Sequence, residues 1–227
     1  MTGIEKALAE GRRALNEYES KQLLADYGFE VAREMAVASA AEAAQAGETL
    51  GFPVVIKGYG ADLMHKTDAG AVFLHVNDAE SARAAYEDME KRLGDRLEGA
   101  VVAGMVPGRR EVAMGLHREP GFGPCVMIGV GGVMTEIIND TAFRVAPLDD
   151  AEARDMALDL RAKDLFGPFR GEAAVDMDAV SRCLSAIGEI GLAHPDISEI
   201  DINPLIITPE GSLVAVDALV VLKGGAS

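Results

Sequence analysis

The sequence predicts an α+β protein of two lobes, and three observations carry that prediction. Helix and strand patterns alternate from residue 4 to about residue 100. Residues 100–147 are rich in strand-forming segments. The rest of the chain gives two helices and a closing hairpin. The break falls near residues 100–105. Residues 1–102 therefore read as an N-terminal helix plus a small lobe, and residues 103–227 as a second lobe.

The elements follow from local chemistry. Residues 18–28 read as a helix stopped by Gly28. Residues 30–36 can form a strand. Ser39 opens an alanine-rich helix, with Glu42 three residues on as a capping box, and Gly51 ends it. Residues 53–57 make a short β-branched strand and residues 71–76 a second. Asp78 starts a helix reaching about Leu93. Residues 100–103 and 111–116 read as strands around the turn Pro107-Gly108. Residues 125–130 form a buried apolar strand. The closing hairpin takes residues 197–202 with 205–208, a turn at 209–212, and residues 213–221.

Composition narrows the function classes. With 49% apolar residues the chain is globular, and no run of about 18 apolar residues offers a membrane span. The charged N-terminus lacks the apolar core of a secretory signal. The two cysteines, Cys125 and Cys183, are far apart, which fits a reducing cytoplasm. A net charge of −16 repels phosphate backbones and argues against nucleic acid as a partner. An anionic ligand would need local cationic or amide-rich pockets. No glycine fingerprint of a Rossmann site and no P-loop motif is present.

Four constellations could supply such pockets. Lys57 ends an apolar strand before Gly58 and Gly60, where a point charge can meet a phosphate. His65 lies in the polar stretch 61–70, bounded by glycines, and imidazole is a nucleophile or base near neutral pH. Gly129, Gly131 and Gly132, with Glu136, Asp140 and Arg144, follow a buried strand and favour close approach to an anion. Asn203 and Asp217 stand on facing strands of the last hairpin, and such oxygens suit Mg²⁺. Each also has an ordinary reading: a solvated strand end, a surface histidine, a β-bulge with a rim ion pair, or an aspartate paired with a lysine or amides.

Taken together and in this order, residues 18–24, 53–70, 129–148 and 199–205 with Asp217 resemble a known family. It is the ATP-grasp subunit of ADP-forming (NDP-forming) acetyl-CoA and acyl-CoA synthetases, within the succinyl-CoA synthetase superfamily. The resemblance spans residues 15–221. It implies an ATP-grasp fold with ATP or ADP held between two lobes. It assigns Lys21 and Lys57 to the nucleotide, Lys57 on the phosphates. Glu111 would lie near the ribose, and Met105 and Val106 at a hinge beside adenine. Gly131, Gly132, Glu136 and Arg144 would complete the nucleotide site. Asn203 and Asp217 would bind Mg²⁺. His65 would be the catalytic loop histidine, relaying phosphate from a histidine of the CoA-binding subunit to ADP. The partner implied is that CoA-binding α subunit, in a heterotetramer, with acyl-CoA, carboxylate and phosphate as small-molecule substrates. One departure stands out: Ala103-Gly104 replace the glutamine the family often carries before the hinge. Two other readings remain: a nucleotide-sensing regulatory subunit, and a stand-alone carboxylate ligase.

Overall fold

The computed structural model describes residues 3–60, 70–132 and 138–223. In chain order the helices are α1 (Gly3–Ala9), α2 (Glu17–Asp26), α3 (Ala40–Leu50), α4 (Ala79–Leu93), α5 (Asp150–Leu158) and α6 (Met177–Ala193). The strands are β1 (Glu34–Val37), β2 (Val54–Tyr59), β3 (Val72–Val76), β4 (Gly99–Gly104) and β5 (Arg110–Glu119). They continue with β6 (Gly123–Val130), β7 (Thr141–Val145), β8 (Ile197–Ile207), β9 (Leu213–Ala215) and β10 (Ala218–Leu222). Among the described residues no helix is long and apolar enough to cross a membrane.

The chain forms two compact units. One is Ala32–Met105; the other joins Met1–Val31 to Val106–Ser227. The division after Met105 lies close to the break expected near residues 100–105. The expected 1–102 lobe needs correction, because the first 31 residues belong to the larger unit. The reason is backbone pairing. Leu15 N donates to Val220 O at 2.9 Å, and Leu222 N donates to Arg13 O at 2.8 Å. Residues 13–15 thus extend the sheet edge at β10.

The smaller unit is a four-stranded antiparallel sheet in the order β1-β4-β2-β3. Its helices begin and end where the sequence says they should. Ser39 accepts from Glu42 N, Asp78 accepts from Ser81 N, and Gly51 closes α3 at φ 88°. Alternate residues of β2 point two ways. Val54 and Ile56 join Ala82, Ala85 and Met89 of α4 in the core. Lys57 therefore points away from that helical layer. It is not a strand end: β2 continues through Gly58 and Tyr59.

In the larger unit the order is β10-β8-β5-β6-β7, with β9 also pairing with β8. Val112, Met114, Leu116, Val126, Ile128, Ile200 and Ile202 face one core. Against them α6 buries Val180, Leu184, Ile187 and Ile190, a helical stripe. Strands β4 and β5, read from the sequence around one turn, enter different sheets. The segment 197–208, read as two strands, includes one continuous strand of 11 residues. Arg110 is buried at 3% exposure and pairs with Glu172 at 3.2 Å. It also donates to the carbonyls of Leu165, Gly167 and Ala173, anchoring the start of β5.

Candidate functional site

The site is built on the face of the larger sheet opposite its core. Along β8, Ile200 and Ile202 turn inward, so Glu199, Asp201 and Asn203 turn outward. The returning chain keeps one register with β8 on both sides of a break. Ala218 stands across from Ile202, and Ala215 across from Leu205. In the gap, Val216 N donates to Pro204 O at 3.1 Å. The same register places Asp217 directly across from Asn203. Opposed residues of an antiparallel pair share a face, with Cβ atoms about 4.5–5.5 Å apart. The flanking pairs thus set Asp217 opposite Asn203 in the hairpin.

The surroundings of that pair are acidic. Asp201, two residues along the same face, has its carboxyl pushed above the usual value. Loss of hydration comes first, although the residue keeps an exposed surface; the charges of Glu199 and Asp217 add to it. Oxygen donors in an excess of negative charge fit a hard divalent cation. Among the described residues no three His, Cys, Asp or Glu side chains form a metal-binding group. A cation here would take its further oxygens from water and from a ligand, which is the habit of Mg²⁺.

Two glycines bring a second strand to this pair. Gly131 N donates to Glu111 O at 2.9 Å. A Cβ on Gly131 would lie 2.5 Å from the Val112 carbonyl carbon, so backbone packs directly on backbone. Gly132 adopts φ +67°, a conformation that favours glycine, and its amide donates to Asn203 Oδ1 at 2.8 Å. A Cβ there would fall 1.7 Å from Glu111 Oε2. Glu111, Gly131, Gly132 and Asn203 thus form one cluster, and the hairpin register sets Asp217 opposite Asn203.

Other expected residues fall elsewhere. Lys21, assigned to the nucleotide, is fully buried and pairs with Glu17 at 2.9 Å. Its Nζ also donates to Val216 O at 3.2 Å. Arg144 stands across from core residue Val126 on β7, so it lies on the face opposite Asp201 and Asn203. There it pairs with Asp159 at the end of α5. The period-two alternation of β7, a strand absent from the sequence reading, decides this. Lys57 belongs to the smaller unit, and Met105 and Val106 flank the division between units. His65 and Glu136 lie outside the described residues. Glu17 stands in none of the four sequence constellations. Its signal was a four-residue spacing from Lys21 on one helix face.

Comparison with known proteins extends this picture. The ATP-grasp domain family matches residues 6–222. The β subunit of ADP-forming acetate–CoA ligase I from Pyrococcus furiosus is 38% identical over 224 residues, covering 96% of each chain. Acetyl-coenzyme A synthetase 1 of Ca. Korarchaeum cryptofilum, solved with coenzyme A and Ca-AMPCP, superposes with a TM-score of 0.91. Its identity is 36%, over 97% of this chain and 98% of that one. The same enzyme with coenzyme A and Mg-AMPPCP has its phosphohistidine segment pointing towards the nucleotide-binding site. It superposes at 0.85 with 36% identity and the same coverage.

Proposed function

Because the chain belongs to the ATP-grasp family, among the β subunits of ADP-forming acetate–CoA ligases, we propose that it is the nucleotide-handling subunit of an ADP-forming acyl-CoA synthetase. The reaction is acyl-CoA + ADP + phosphate ⇌ carboxylate + CoA + ATP. The observation that carries this reading is the cluster of Asn203, Asp217, Gly132 and Glu111, joined by the 2.8 Å bond from Gly132 N to Asn203 Oδ1.

Within it, Asn203 and Asp217 hold Mg²⁺. Bound Mg²⁺ neutralises phosphate oxygens and orients them for transfer. Gly132 supplies a backbone that lets a ligand approach, and its amide fixes the orientation of the Asn203 side chain. Glu111 accepts hydrogen bonds from the nucleotide ribose. Lys57 places an ammonium on the phosphates. Met105 and Val106 flank the adenine. Glu136 completes the glycine-rich segment.

Catalysis needs a phosphoryl carrier. His65 attacks the phosphorus held by a histidine of the CoA-binding partner, whose imidazole leaves. An oxygen of the ADP β-phosphate then attacks phospho-His65, and the His65 imidazole leaves. The partner supplies the CoA site and forms a heterotetramer with this chain. A Pyrococcus relative aligned over 96% of both chains is a β subunit, which supports this division of labour.

The test is co-expression with a CoA-binding α subunit, with ATP formation measured from acetyl-CoA, ADP and phosphate. ATP formation that requires both chains supports the reading. Full activity from this chain alone would overturn the split-subunit assignment. Failure to bind ADP in the presence of Mg²⁺ would overturn the nucleotide role.

A further inference from the structure

Glu17 and Lys21 form an ion pair at 2.9 Å, with side chains 1% and 0% exposed. Four residues apart on α2, they share one helix face. Lys21 Nζ donates to the Val216 carbonyl, immediately before Asp217, at the break between β9 and β10. The preceding residue, Ser20, accepts from Val220 N through its Oγ at 3.2 Å. Helix α2 therefore grips the returning strand on both sides of Asp217, at residues 216 and 220.

A buried ion pair is a poor device for stability. Desolvation of both groups offsets their attraction, and an apolar pair of similar volume is often as stable or more so. An ammonium can, however, donate to a carbonyl at a strand break, which a methionine cannot do. The Val216 carbonyl belongs to the peptide that leads into Asp217. Its orientation sets the direction in which the Asp217 side chain leaves the strand.

We propose that the Glu17–Lys21 pair positions the Asp217 carboxylate for the cation. Glu17 holds Lys21, Lys21 holds the Val216 carbonyl, and the peptide so fixed keeps Asp217 across from Asn203. This rests on the reading of Asn203 and Asp217 as cation ligands. Lys21 is then a positioning residue set behind the site, in place of the direct nucleotide contact first assigned to it.

The experiment uses the full chain with AMPPCP and measures Mn²⁺ binding by electron paramagnetic resonance. The double variant Glu17→Leu/Lys21→Met removes both charges and keeps apolar volume. Its melting temperature should match or exceed the wild type. Its Mn²⁺ affinity should fall by about 10- to 100-fold, the usual effect of losing an outer-shell partner. AMPPCP affinity without metal should not change. A folded double variant with wild-type Mn²⁺ affinity overturns the proposal. If that variant does not fold, Glu17→Gln/Lys21→Met replaces it, judged by the same outcomes. Asp217→Asn in the same titration separates the two levels. If it keeps wild-type Mn²⁺ affinity, the ligand assignment is wrong and the positioning role falls with it. If it loses Mn²⁺ and the double variant does not, only the positioning role fails.

Discussion

The amide of Gly132 donates to Asn203 Oδ1 at 2.8 Å, and this bond links the segment just after β6 to the middle of β8. It requires the backbone of residue 132 to stay at φ +67° with Glu111 Oε2 beside its α-carbon.

Gly132→Ala should therefore act twice. A left-handed backbone costs an L-residue about 1–2 kcal/mol, a fall in Tm of about 2–8 °C at this size. The new methyl must also displace the Glu111 carboxylate, so Mg-ADP affinity should fall. Gly121→Ala is the control: its φ is +91°, and nothing lies within 4 Å of the added carbon. It should lose similar stability and keep nucleotide affinity. Equal nucleotide affinities in the two variants would show that Gly132 has no special role.

Removing the metal and removing Asp217 should look alike. Calorimetry of ADP binding to the wild type with EDTA should match that of Asp217→Ala with Mg²⁺. Circular dichroism should show both folded, because Asp217 lies in the gap between β9 and β10 and outside the hydrophobic core. A Mg²⁺-dependent gain in ADP affinity that survives in Asp217→Ala would place the cation elsewhere.

Lys57→Met keeps the apolar stem of a side chain that is only 8% exposed, and removes its charge. ADP binding should weaken by about 1.5–3 kcal/mol, the range for a hydrogen bond to a charged group. Unchanged affinity by calorimetry would remove Lys57 from the phosphates.

Arg144→Ala should do little. Its guanidinium pairs with Asp159 on the core-side face of the sheet, and both side chains are well exposed. Such pairs contribute at most about 1 kcal/mol. Mg-ADP affinity should stay within about twofold of wild type, well under the roughly 1.4 kcal/mol of a tenfold change. A tenfold loss would mean that the arginine reaches the nucleotide after all.

What the sequence made legible was what is local. Ser39, Asp78, Gly28 and Gly51 mark helix ends through bonds and backbone angles within a few residues, and the helices start and stop there. The strands of the last hairpin were also readable, because a hairpin with a short turn fixes its own register. What failed was non-local or depended on a face. Lys21 meets a carbonyl 195 residues away, and nothing near it in sequence indicates burial. Arg144 follows a glycine-rich segment that suggests a ligand loop. One strand later, β7 alternation sends Phe143 one way and Arg144 the other. Residues 100–103 and 111–116 each read correctly as strands, yet the short turn gave no sign that they enter separate sheets.

His65 carries the sharpest prediction. Moving phosphate between two distant sites calls for a carrier that is nucleophilic near neutral pH and a good leaving group, and imidazole is both. The other three histidines lie among the described residues. His194 Nε2 is 3.0 Å from Tyr27 Oη, and His117 Nε2 is 3.3 Å from Glu119. His75 lies on β3 with φ 54°. In sequence, His65 is followed by Lys66 and Thr67, which can stabilise phosphoryl oxygens by charge and hydrogen bonding. His65→Ala should keep Mg-ADP affinity and lose acetyl-CoA-driven ATP formation when assembled with the CoA-binding subunit. The partner's histidine should still take up label from radioactive phosphate in the presence of acetyl-CoA, and the label should stay there on adding ADP. His117→Ala, on the sheet face that carries Glu199, should turn over at close to the wild-type rate and serves as the control. ATP formation by His65→Ala at a near wild-type rate would show that no relay passes through this residue.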